Sequence, residues 1–184
     1  MYFLAFIPPT QVYDDALKLK MHFNEKYKSK AALNSPPHIT LHMPFRWKEG
    51  KEAELVQKLE TFTKTFDPVK VCLDNFGAFE PRVIFLNVVK SEILENLQKH
   101  VHRFCKTELN LFNANYKEHP YHPHLTLAFR DLKKSAFKEA WSEFKSKEYK
   151  AEFVGDKIAL LKHDGKAWKV HHEFTLESSY STDV

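Results

Sequence analysis

The sequence predicts an α+β protein: a duplicated fold of two pseudo-symmetric lobes, built of largely antiparallel sheet with outer helices and a cleft between. Three observations lead there. Apolar residues alternate along the chain between a period of two and a period of 3.6. The order strand, helix, strand, helix, strand occurs twice at a spacing of about 86 residues, too long for a solenoid and suited to two fused lobes. Lastly, Pro37-His38-Ile39-Thr40-Leu41 returns as Pro123-His124-Leu125-Thr126-Leu127. No linker separates the halves, so residues 1–184 read as one domain.

Element by element, Tyr2–Ile7 is a short apolar strand closed by Pro8-Pro9. Thr10 is placed to cap a helix whose Val12, Ala16, Leu19, Phe23 and Tyr27 keep the helical period. Asn34-Ser35-Pro36-Pro37 breaks it, and His38–Phe45 reads as a strand. Leu55, Leu59, Phe62 and Phe66 mark a second helix over Lys51–Phe66, stopped by Asp67-Pro68. Val69, Val71 and Leu73 alternate as a strand, with turn residues Asn75 and Gly77 following.

The second half repeats the order. Arg82–Val89 is a strand, and Ser91 caps a helix with Ile93, Leu97, Val101 and Phe104 on one face. A polar loop over Asn110–Pro120 leads to the strand His124–Phe129. Leu132, Ala136, Ala140, Trp141 and Phe144 form a fourth helix. Tyr149–Leu161 and Trp168–Leu176 close the fold around a hairpin turn at His163-Asp164-Gly165-Lys166, and Ser178–Val184 is expected to fray.

Composition narrows the function classes. Hydrophobic residues make up 43% and charged residues 28%, the balance of a folded soluble protein rather than a disordered one. The longest apolar stretches, Phe3–Ile7 and Val83–Leu86, fall far short of the roughly 20 residues a bilayer needs. Met1–Ile7 has no basic lead of a secretory signal, and Cys72 and Cys105 offer no disulfide framework, so a cytoplasmic protein with no membrane partner is expected. A net charge of +4 permits an anionic ligand without demanding a nucleic-acid partner.

The repeated pentapeptide carries the chemistry. Strand residues two apart share a face, roughly 6.6 Å from each other. His38 and Thr40 therefore point one way, as do His124 and Thr126, while Ile39, Leu41, Met43, Leu125, Leu127 and Phe129 take the core side. A two-fold relation between lobes lets the His-Thr pairs face each other across the cleft. Two imidazoles and two hydroxyls suit a tetrahedral anion. One neutral His can act as general base and the other, protonated, as general acid, while hydroxyls donate to phosphoryl oxygens. Neither metal nor cofactor is required.

This arrangement resembles the 2H phosphoesterase superfamily, defined by two H-x-T/S motifs in a duplicated fold. Within it the chain looks like the 2′-5′ RNA ligase and RNA 2′,3′-cyclic phosphodiesterase branch, over nearly its whole length. The resemblance implies that His38 and His124 are the acid–base pair and that Thr40 and Thr126 hold the phosphate. It implies a nucleotide or RNA end with a cyclic phosphate as substrate, opened by water. Two departures flank the motifs: His42-Met43-Pro44-Phe45 stands where many relatives have a glycine-containing turn, and Arg130 lies one position later than the usual Arg. By strand parity Arg130 shares the face of His124 and Thr126 and is a candidate phosphate ligand; His42 shares that of His38.

Other readings stand beside this one. His119, His122 and His124 invite a zinc site, but Pro120 and Pro123 break the spacing and no nearby acid or thiol completes it. A histidine-triad pattern fails because Thr126 stands where it needs a third His. Tyr121, Trp47 and Trp168 could stack on a base, although packing is the commoner use of a ring. A nucleotide- or RNA-binding module without efficient hydrolysis, and 2′-5′ RNA ligation, use the same groups. No obligatory protein partner is implied, and oligomeric state is not encoded in any motif.

Overall fold

The computed structural model describes residues 1–112 and 120–177. Residues 113–119 of the expected polar loop, His119 among them, and the tail from Ser178 lie outside the described residues. The described chain holds eight strands, β1 (Tyr2–Phe6), β2 (Ile39–Phe45), β3 (Val69–Phe79), β4 (Val83–Val88), β5 (His124–Ala128), β6 (Lys150–Gly155), β7 (Lys157–His163) and β8 (Trp168–Thr175). Its four helices are α1 (Thr10–Tyr27), α2 (Glu52–Thr63), α3 (Glu92–Thr107) and α4 (Lys134–Phe144). The α+β class is as expected.

All strands join one antiparallel sheet in the order β6-β3-β4-β5-β2-β1-β7-β8. The order reads as two four-stranded lobes meeting at β5 and β2, which share the single residue pair Ile39↔Leu125. The two motif strands are thus neighbours at the centre. The lobes do not coincide with the halves of the sequence. β3 follows α2 but pairs with β4 and β6 in the His124 lobe, whereas β7 and β8 complete the His38 lobe beside β1. Each lobe therefore needs strands from both repeats, and neither half-chain can form one alone.

The helices bury one face each against a common core. Phe23, Leu55, Leu97 and Phe144, one from each helix, meet Leu4, Ile39, Leu86 and Leu125 of the sheet there. α1 packs on β5 and α3 on β2, so each helix lies over the motif strand of the other lobe. A smaller cluster of Phe3, Ala5, Ala159 and Leu161, with Trp168 against it, forms separately.

Local chemistry explains the element boundaries. Ser91 caps α3 by accepting a hydrogen bond from the Leu94 amide, as its sequence position predicts. Thr10 does not cap α1. Pro9 holds the N-cap position in extended conformation, making Thr10 the first helical residue. The buried stripe of α3 is Leu94, Leu97, Gln98, Val101 and Cys105, and Ile93 is 66% exposed rather than facing the core. Phe104 instead packs its ring on Phe62 of α2, 4.2 Å between centroids. Asn75 and Gly77 do not end β3. The strand passes through both, with an irregular register between Leu73 and Phe76 where Asn75 takes a left-handed φ of 59°. Gly77 is required for close approach, since a Cβ there would fall 2.4 Å from the Phe85 ring.

Candidate active site

The two motifs adopt the same irregular strand. On β1, Ala5 pairs with Thr40 and Leu4 with His42; on β4, Phe85 pairs with Thr126 and Ile84 with Ala128. In each case one residue, Leu41 or Leu127, is extra. A bulge at equivalent positions reverses the alternation that follows. His42 and Ala128 consequently turn into the core, both 0% and fully buried, and Met43 emerges to solvent. This corrects the parity expected for His42 and Met43. It also brings Phe129, placed in the core by simple alternation, to the wall of the central cavity.

Upstream of the bulges the expected geometry holds. The pair Ile39↔Leu125 sets the register. One step away, antiparallel pairing places His38 opposite Thr126 and His124 opposite Thr40 on a common face. His38 lies just before β2 and His124 opens β5.

A proline precedes each histidine and determines how its ring is held. Residues before proline are restricted to extended conformations. Their carbonyls point back toward the imidazole two positions on. Nδ1 of His38 donates to the Pro36 carbonyl at 2.7 Å, and Nδ1 of His124 donates to the His122 carbonyl at 2.7 Å. A carbonyl only accepts, so both rings carry their proton on Nδ1 and leave Nε2 as a lone-pair site. A phenyl ring supports each imidazole: Phe3 lies 4.9 Å from His38, and Phe85 lies 4.9 Å from His124 between ring centroids.

Electrostatics separates the pair. Burial drives His38 down to about 4 against the opposing hydrogen bond from Pro36, and the charges of Lys20 and His124 push the same way. His124 is also lowered by burial, with the His122 carbonyl opposing and the His122 ring adding to the shift. Both imidazoles are therefore neutral in the free protein near pH 7.

A cavity of about 350 Å³ opens beside this pair. His38, Thr40, Thr126 and Arg130 line it; His124 is not among the lining residues and belongs to the group through the strand register and its electrostatic contact with His38. One wall is the segment Ala31–Ser35, held in place by Asp131. That carboxylate accepts hydrogen bonds from the Ser29 hydroxyl at 2.8 Å and from the amides of Lys30 and Ala31 at 2.9 and 3.0 Å. Arg130 reaches the cavity differently from the way parity predicts. It lies beyond β5 with φ 58°, in a tight turn where the Asp131 amide donates to the Phe129 carbonyl at 2.7 Å, and its guanidinium stacks on the Phe129 ring.

Lys20 is the functional candidate missed in the sequence. It borders the cavity from α1 and is buried among residues that are otherwise apolar. The available signal was a lysine on the stripe Val12, Ala16, Phe23, Tyr27, where a core side chain belongs.

The remaining candidates fall elsewhere. His122 packs on Phe79 and Phe85, and among the described residues no three His, Cys, Asp or Glu side chains group as metal ligands. Trp168 lines the cavity against Phe3, while Trp47 donates to the Lys51 carbonyl and packs on the core. Tyr121 donates its hydroxyl to the Thr40 carbonyl at 3.2 Å, bracing the first motif.

Two interleaved antiparallel lobes, with a matched imidazole–hydroxyl pair on each central strand, define a protein of the duplicated H-x-T class. The chain belongs to the 2′-5′ RNA ligase superfamily, whose sequence profile matches residues 8–167. Among its relatives is a protein provisionally named a phosphoesterase from Geobacillus kaustophilus, 28% identical over 94% of both chains. Another of that name, from Geobacillus thermodenitrificans, is 29% identical over 84% of this chain and 86% of its own. The fold is shared with TT0787 of Thermus thermophilus (TM-score 0.68, 18% identity, covering 97% of this chain and 99% of that one). It is shared also with E. coli LigT in its complex with 3′-AMP (TM-score 0.66, 18% identity, covering 95% of this chain and 97% of that one). No helix among the described residues is long and apolar enough to cross a membrane.

Proposed function

We propose that this chain is a metal-independent phosphoesterase that opens the 2′,3′-cyclic phosphate of a nucleotide or RNA end. The observation that carries the reading is the matched locking of the two imidazoles. Each has Nδ1 tied to the carbonyl two residues back and Nε2 left for a substrate, with a hydroxyl from the opposing strand beside it. The phosphoesterase names of the bacterial relatives and the 3′-AMP complex of LigT support the substrate class.

In this mechanism His38 is the base. Its imidazole is neutral because burial and the nearby Lys20 ammonium disfavour the charged form. Nε2 of His38 takes a proton from water as the water oxygen bonds to phosphorus. His124, protonated when the anionic substrate is bound, gives its Nε2 proton to the departing ribose oxygen as the P–O ester bond breaks. Thr40 and Thr126 donate to the non-bridging oxygens, where negative charge grows. The product is a ribose phosphomonoester; His38 then gives its proton up to solvent, and His124 takes one from solvent as the next anion binds.

The test is hydrolysis of 2′,3′-cyclic nucleotides in EDTA by wild type, His38→Ala and His124→Ala. Acid–base groups contribute about 10²–10⁴-fold each, so turnover should fall by that order in either variant with the fold retained. Near-wild-type rates in either variant would overturn the two-histidine mechanism. Wild-type binding without turnover would make the chain a nucleotide-binding module, and activity stopped by EDTA would point to a metal.

A further inference from the structure

Lys20 occupies a position where burial alone would select an apolar residue. It is 1% exposed, and its Nζ donates to the backbone carbonyls of Ala32 at 2.9 Å and Ser35 at 3.0 Å. An ammonium carries three donors and no acceptor. Two are used by these carbonyls, and none of the ion pairs among the described residues gives it a carboxylate. An uncompensated buried charge is costly. The group that would compensate this one has room on one side, since Lys20 borders the central cavity together with His38, Thr40 and Thr126.

We propose that Lys20 is a phosphoryl-binding residue, whose third N–H donates to a non-bridging oxygen of an anion seated against Thr40, Thr126 and the Ala31–Ser35 wall. The proposal rests on the reading of this cavity as the place where the substrate phosphate is held. It adds a specificity element that neither motif contains. The two carbonyls fix the ammonium in position, so a ligand with negative charge at that depth is favoured over a neutral one of the same shape.

The arrangement also couples binding to protonation. Burial lowers Lys20 to about 7, so the free protein holds a substantial neutral fraction at and above that pH. The other titratable or charged groups on the cavity are His38, Arg130 and His163, with His124 reaching it through His38; the nearby Asp131 carboxylate is engaged by Ser29, Lys30 and Ala31. An anion favours charged Lys20. Binding should therefore take up a proton, and affinity should fall as pH rises through about 7.

Sulfate is the probe, because it does not titrate near neutrality. Its binding to the full chain is measured by calorimetry in EDTA at pH values from 6.5 to 8.5, for wild type, Lys20→Met and Lys20→Arg, with cyclic-nucleotide hydrolysis followed alongside. Wild type should bind less tightly at the alkaline end. K20M should lose about tenfold or more at pH 6.5 and show a flatter pH dependence, with its melting temperature not lowered. K20R, charged throughout, should keep its affinity at pH 6.5 and lose less of it toward pH 8.5 than wild type, with only the proton taken up by His124 left to titrate. Sulfate affinity in K20M equal to that of wild type, a wild-type affinity independent of pH, or no wild-type sulfate binding would each overturn the role of Lys20. Should hydrolysis still depend on His38 in that event, the proposed reaction survives. Sulfate bound through Lys20 with no cyclic phosphate opened would overturn the reaction and leave Lys20 as an anion ligand.

Discussion

The surroundings of His38 and His124 differ although their local construction is the same. Both histidines follow a proline, donate Nδ1 to the carbonyl two residues back, face a threonine on the opposing strand, and precede a bulge at the leucine after their own threonine. Beyond that shell the symmetry ends. His38 stands on the cavity, next to a buried ammonium; His124 stands off its lining, among Phe79, Phe85 and His122. The repeated motif accounts for the equal geometry, whereas the base and acid roles proposed for the pair would require unequal environments. The proton inventory of the site is therefore set by what packs around the repeats, not by the repeats.

The hydroxyls give the sharpest test of the shared shell. Thr40→Val and Thr126→Val keep shape and remove one donor each. A hydrogen bond to a charged group is worth about 1.5–3 kcal/mol, so kcat/KM should fall roughly 10–100-fold in each, with unfolding midpoints near wild type. Similar losses would show that the phosphate is shared evenly between strands. A loss confined to one variant would break the two-fold picture at the substrate.

The unequal shell is tested by titration. Histidine NMR signals should give His38 the lower midpoint of the two, and Lys20→Met should raise that of His38 more than that of His124. Stability should follow. The folded-state value of His38 lies below its ordinary 6.5, so protonation opposes folding. Its contribution is fully present above about pH 6.5 and is lost as pH falls toward about 4. Denaturant midpoints should drop on acidification through that window, and less so in His38→Ala.

A third comparison concerns the supporting rings. Gly77→Ala would drive a Cβ into Phe85, which carries His124 and not His38. Overpacking of this kind costs about 1–3 kcal/mol. Denaturation should show that loss, and the His124 NMR signal should shift while that of His38 stays. Equal shifts at both histidines would mean that the two halves relax as one.

Much of this was legible in the sequence because it is local. Strand and helix periods, the Ser91 cap and the paired H-x-T motifs depend on neighbours within a few residues. What was not legible is set at long range. The bulges at Leu41 and Leu127 arise from pairing with β1 and β4, and a one-residue slip sends His42 inward and Phe129 outward. The exchange of β3 and β7 between lobes leaves no mark in composition. Asn75 and Gly77 carry turn chemistry, yet here they serve a kink in a continuous strand and an aromatic contact. Lys20 broke the apolar stripe of α1 in plain view, but long lysine side chains so often reach out to solvent that a single one carries little weight until its burial is seen.

The smallest effect belongs to Arg130, the point at which the second motif departs most from the first. Its counterpart across the repeat is Pro44, which also lines the cavity. Arg130 holds a positive φ that disfavours any side chain, so its guanidinium is presented at the expense of backbone strain. Arg130→Ala removes the charge and keeps the strain; Arg130→Gly removes both. Glycine should be the more stable of the two by about 1 kcal/mol, measured by denaturant unfolding. Because the guanidinium is exposed and stacked on Phe129 rather than buried like Lys20, both variants should weaken sulfate binding by only about two- to fivefold. An equal, small loss in the two assigns Arg130 to the rim of the cavity. A loss as large as that in K20M would move the centre of the anion toward β5, and unchanged binding in both would remove Arg130 from the site while leaving its strained turn as the anchor for Asp131.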